Sequence, residues 1–107
     1  MGSAIVYTGQ PGTADAAIYT GPAGGIILSQ IYAANLTGAA VPLTMTVHRV
    51  ISGQIEPVAT ALPIGASTMQ ELLNPAKLAY GGLRLDAGDT LHASAGTASA
   101  VTVTATA

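Results

Sequence analysis

Val41-Pro42-Leu43-Thr44-Met45-Thr46-Val47-His48 is the stretch that decides the fold class. Val41, Leu43, Met45 and Val47 fall on one parity, while Thr44, Thr46 and His48 fall on the other. A period of two with β-branched residues is the mark of a strand with one buried face. Arg49 then takes the apolar parity and Val50 the polar one, so the strand ends, bulges or changes partner there.

The same alternation recurs outward from this segment. Val101, Val103 and Ala105 alternate with Thr102, Thr104 and Thr106, and Leu91, Ala93 and Ala95 with Thr90, His92 and Ser94. Ile26 to Tyr32 places apolar groups on both parities, as a strand covered on both sides does. Ala4–Thr8, Ala16–Thr20, Ile55–Leu62 and Leu83–Leu85 complete the expected strands. Between them stand the turn signals Gln10-Pro11-Gly12, Gly21-Pro22-Ala23-Gly24, Leu36-Thr37-Gly38, Ser52-Gly53 and Asp86-Ala87-Gly88-Asp89. Ser67 to Leu73 is either a single helical turn, with Ser67 or Thr68 as N-cap and Asn74-Pro75 as stop, or an irregular crossover between sheets. Ile5-Val6-Tyr7-Thr8-Gly9 is echoed as Ala17-Ile18-Tyr19-Thr20-Gly21, which reads as two strands of similar build.

These elements give an all-β chain: one β-sandwich or jelly-roll-like domain of about 7–9 short antiparallel strands, with at most one short helical turn near residues 67–73. Residues 1–13 read as an N-terminal arm and first strand making inter-subunit contacts, and 14–107 as the sandwich domain. The expected core is Ile26, Leu28, Leu43, Met45, Val47, Leu83, Leu85, Leu91, Val101 and Val103.

Composition narrows the function. Charged side chains make up 7% of the 107 residues, against about 25% in an ordinary soluble domain. A surface this poor in charge is expected to be covered by neighbouring subunits, although Thr, Ser, Gly and Ala also supply a neutral soluble surface. The absence of cysteine excludes disulfides, redox pairs and thiolate zinc sites. No run approaches the roughly 20 apolar residues of a membrane span. Met1 to Val6 lacks the basic region of a signal peptide. A net charge of −2 with three basic residues argues against direct nucleic-acid binding.

Catalytic groups are sparse. His48 and His92 each sit on the polar parity of an expected strand, far apart in sequence and with no HxH or HxxxH pairing. They read as surface or interface histidines rather than members of a triad or zinc site. Asp86 and Asp89 flank Gly88 and read as turn-shaping residues, since a calcium ion takes six to eight oxygens. Gly24-Gly25 and Gly81-Gly82 lack the context of a phosphate loop and mark bends or close backbone approaches. Tyr7, Tyr19, Tyr32 and Tyr80 read as core or interface anchors. The expectation is therefore no enzyme, and no catalytic, cofactor-binding or metal residues.

Three stretches carry a family resemblance: Ile18-Tyr19-Thr20-Gly21-Pro22-Ala23-Gly24, Gln30-Ile31-Tyr32-Ala33-Ala34-Asn35 with Leu36-Thr37-Gly38, and Leu85-Asp86-Ala87-Gly88-Asp89-Thr90-Leu91-His92-Ala93-Ser94. In this order, closed by the Val-Thr-Val-Thr strand, the chain resembles small virion proteins of tailed bacteriophages over about residues 5 to 106. These are turn and strand motifs rather than chemical signatures. The resemblance implies a non-catalytic β-sandwich subunit of the virion. It points first to a capsid decoration (cement) protein, trimeric, partnered by the major capsid protein and by copies of itself. Tail, baseplate or fibre-attachment placement is the alternative, and a carbohydrate- or receptor-binding sandwich the third reading.

Overall fold

The computed structural model describes residues 5–72 and 83–107. The chain is all-β, with ten strands among these residues: β1 Ile5–Gly9, β2 Ala16–Thr20, β3 Ile26–Leu28, β4 Gln30–Asn35, β5 Val41–His48, β6 Ile55–Ile64, β7 Thr68–Glu71, β8 Leu83–Leu85, β9 Thr90–Ala95 and β10 Val101–Thr106. They form two four-stranded sheets, β1-β10-β4-β7 and β2-β9-β5-β6, and a two-stranded sheet of β3 and β8, with antiparallel pairing throughout. No helix among the described residues is long and apolar enough to cross a membrane.

The pairing is nested. β5 pairs with β6, β4 with β7, β3 with β8, β2 with β9 and β1 with β10. The chain is thus one long hairpin hinged at the β5–β6 turn. It is rolled so that β10 also meets β4 and β9 also meets β5.

The inner faces of the two larger sheets contribute to one buried cluster. At four inward pairs a large side chain lies opposite a small one: Leu43 faces Ala95, Met45 faces Ala93, Val103 faces Ala33 and Ile31 faces Ala105. Such alternation lets facing layers interdigitate without voids. Of the ten residues expected in the core, eight are fully buried, and Ile26 and Leu83 are partly buried against the cluster. Ile31, Ile64, Asn35 and Asp89 are fully buried as well.

Two departures account for ten strands where eight segments were read. Ile26 to Tyr32 is two strands, because the chain changes sheets at Ser29, whose amide donates to the Thr106 carbonyl at 2.8 Å. β3 then pairs with β8, while β4 pairs with β10. Covering on both parities therefore reflects a switch between sheets.

The second departure lies at residues 67–73, where a helical turn was one of the two readings. Thr68–Glu71 is a strand on the edge of the first sheet, and residue 73 lies outside the described residues. Ser67 has φ 54°, outside the extended backbone an N-cap needs. Its amide donates to the Thr37 carbonyl at 3.1 Å, and the Thr68 hydroxyl donates back to the Gly65 carbonyl at 2.7 Å. The Ser-Thr pair thus makes the crossover from β6 in one sheet to β7 in the other.

The sequence echo has a structural counterpart. β1 and β2 lie in different sheets, yet each shifts register at the same place in its motif, between Ile5 and Tyr7 and between Ala17 and Tyr19. The skipped residues are Val6 and Ile18, and both pack against the core. One motif builds the same bulge twice.

Candidate functional site

Two polar constellations stand out, both created where β9 and its preceding turn meet β5. The first lies on the outer face of the β2-β9-β5-β6 sheet. Leu91, Ala93 and Ala95 of β9 point into the core, so His92 points outward, as His48 does from β5. The register sets Thr46 opposite His92 and His48 opposite Thr90, so the two histidines are diagonal neighbours. Their rings stack, with centroids 3.6 Å apart and planes at 11°.

Asp15 enters from the other side. It precedes β2, whose Ala16 and Ala17 pair with Ala93 and His92. Its Oδ2 lies 3.0 Å from His92 Nδ1, and the opposite ring nitrogen, Nε2, lies 3.0 Å from Thr90 Oγ1. His92 is therefore held at both nitrogens. One potential ligand atom from each of Asp15, His48 and His92 lies within 4.8 Å of the others.

The second constellation is a buried carboxylate. Asp89 is 2% exposed and closes the Asp86–Asp89 turn. Its Oδ1 accepts the Val50 amide at 2.8 Å, while Oδ2 accepts the Asp86 amide and Arg49 Nη1, both at 3.0 Å. Arg49 continues to Glu56 at 2.8 Å and donates to the Arg84 carbonyl at 2.6 Å. The Val50 amide does most to hold the Asp89 carboxyl below its ordinary pKa, with Arg49 and the Asp86 amide adding to it and burial opposing it. Every Asp89 oxygen is engaged by the turn or by Arg49, which makes this a structural clip between the β5–β6 and β8–β9 turns.

Arg49 on the apolar parity thereby finds its reason. β5 stops at His48, the Arg49 amide donates to the Gln54 carbonyl across the hairpin, and its side chain reaches Asp89. Gly88, at φ 88°, gives the aspartate turn its left-handed step.

Tyr7 and Tyr19 are partly buried against the core, and the Tyr32 hydroxyl donates to Gln30 Oε1 on the opposite face of its sheet. Tyr80 and Gly81-Gly82 lie outside the described residues. Asn35, quoted above only as part of a strand-and-turn motif, is fully buried and ties three segments together. Its Nδ2 donates to the Ala39 and Ile64 carbonyls at 2.7 and 2.9 Å, and its Oδ1 accepts the Thr37 amide and hydroxyl.

The sequence separates His48 from His92 by 44 positions, and nothing local joins them to Asp15. Their shared polar parity was the one legible sign, and the β5–β9 register is needed to see the pair. Among the described residues no ligand-sized pocket opens.

Comparison with known proteins finds no matching family model, no curated protein and no solved structure similar to this chain.

Proposed function

We propose that this chain is a non-enzymatic structural subunit of a tailed-bacteriophage virion, with a jelly-roll sandwich fold. Its role in this reading is that of a capsid decoration (cement) protein, trimeric, binding the outside of the head and bridging major capsid subunits. The observation that carries the proposal is the pairing of scarce charge with well-placed exposed apolar residues. Ile51 is 89% exposed, and with Val50 and Ile55 it makes an apolar tip on the β5–β6 hairpin. Leu36, just past β4, is 76% exposed, and Met69, on the edge strand β7, is 68% exposed. Isolated exposed leucines need no explanation, but a hairpin tip of three β-branched residues is a contact waiting for a partner.

The outer sheet faces are different. Threonines of β1 and β10 line part of one, with Thr8 and Thr104 bridged at 3.3 Å and Gln10 bonded to Thr102 at 3.4 Å. A neutral hydroxyl surface accounts for solubility without many charges, so the tip and edges are the surfaces assigned to assembly. The nested strand order supports the jelly roll, an architecture that viral capsid domains share with lectins and cupins. Weak contacts repeated over many head sites gain avidity when subunits are linked in a trimer.

Light scattering of the purified protein, followed by co-sedimentation with heads lacking it, tests the reading. A stable trimer that saturates such heads is expected. Association with tails and not heads would move the subunit to the tail or baseplate, and a monomer binding neither would overturn the proposal.

A further inference from the structure

We propose that Asp15, His48 and His92 form a binding site for a borderline divalent first-row transition-metal ion, of the zinc, nickel or copper class. The site does not depend on any role in a virion. Two imidazoles and a carboxylate are the donor set that such ions favour, whereas calcium and magnesium favour all-oxygen sets of six or more.

The geometry supplies both a ligand set and a frame that holds it. His48 and His92 stand on adjacent paired strands at the centre of their sheet, so their backbone spacing is set by the β5–β9 ladder. Asp15 is anchored beside them by the pairing of Ala16 with Ala93. His92 presents Nδ1 to the Asp15 carboxylate, and its other nitrogen is within hydrogen-bonding distance of the Thr90 hydroxyl. A ligating imidazole ordinarily donates its second N–H to an oxygen acceptor, which fixes the tautomer and orients the ring. Thr90 Oγ1 occupies that position, which makes Thr90 a positioning residue.

Binding requires a defined movement. With metal–ligand bonds of about 2.1 Å, donor atoms around a tetrahedral ion sit about 3.4 Å apart. The donors here lie within 4.8 Å of one another, so closure takes roughly an ångström at the side chains. Exposed Asp15 has the freedom to supply much of it. The histidine rings must also tilt apart, because the in-plane lone pairs of rings stacked at 11° do not converge on one point. Three protein ligands on an outward face leave a fourth position to water.

Zinc chloride titrated into the purified full chain, followed by calorimetry and by the imidazole resonances in NMR, is the test. The expected result is saturable one-to-one binding that EDTA reverses and magnesium does not reproduce, with both histidine rings shifting together as they unstack. Asp15→Asn, His48→Ala and His92→Ala should each weaken zinc binding at least tenfold, and Thr90→Val about tenfold. Asp15 is exposed, so Asp15→Asn keeps the test interpretable if a histidine variant folds poorly. Absence of saturable binding, a shift confined to one ring, or undiminished affinity in Asp15→Asn would each overturn the site.

Discussion

Asp89 shows how much one side chain holds in a chain with so few charges. Three donors converge on its carboxylate, and removing its charge leaves the Arg49 guanidinium and two amides facing an amide group. Asp89→Asn is expected to cost about 3 kcal/mol in urea unfolding. The carboxyl is held below the 3.8 of a free aspartate, so its stabilisation is complete above that pH and is lost as pH falls beneath it. The acid limb of the stability profile should therefore flatten in Asp89→Asn, as measured by unfolding midpoints between about pH 2 and 5. Asn35 is the neutral counterpart. Asn35→Asp would set a carboxylate against the Ala39 and Ile64 carbonyls and should destabilise more than Asn35→Ala, itself expected to cost about 2 kcal/mol. In the apolar core, Leu91→Ala should cost about 3 kcal/mol, because Leu91 is fully buried opposite Val47.

At the scale of elements, alternation alone placed most strands, since a one-residue slip would have turned every core side chain outward. The strands left unread were those whose existence depends on a distant partner. β7 is exposed at all four positions and so carries no burial signal; only the free edge of β4 makes it a strand. The break at Ser29 was hidden because its cause, the Thr106 carbonyl, lies 77 residues away. The histidine–aspartate cluster was out of reach for the same reason, as three strands must be in register before it exists. Turns were legible where glycine is required. The Gly21 amide donates to the Asp89 carbonyl, its own carbonyl accepts the Gly88 amide, and a Cβ there would collide with the Asp86 carbonyl oxygen. Gly21→Ala should therefore prise the β2–β3 turn from the aspartate turn, lowering the melting midpoint and exposing the amides of residues 86–89 to faster hydrogen exchange. Gly12→Ala, where nothing lies within 4 Å, is the control.

For the whole molecule, the proposed assembly role rests on the exposed apolar tip of the β5–β6 hairpin. Replacing Val50, Ile51 and Ile55 together by Ser should leave the fold's stability within about 1 kcal/mol, because these side chains are exposed. On the proposed cement role, the same variant should lose oligomer mass in light scattering and lose retention on heads. If deletion of residues 1–13 changed neither property, the arm would have no part in assembly; the strand it contains, β1, pairs along β10.

The nesting of the strands also dictates how the subunit answers a pull. Ile5 and Thr106 are direct partners at one end of the β1–β10 ladder. Force applied through the two chain ends would peel that ladder one bond at a time, like a zip. Force applied between the β5–β6 tip and the Ala95 end of β9 runs along the β5–β9 ladder and must shear its bonds together. A tether at the termini would make a weak rivet, whereas a grip through the hairpin tip would make a strong one.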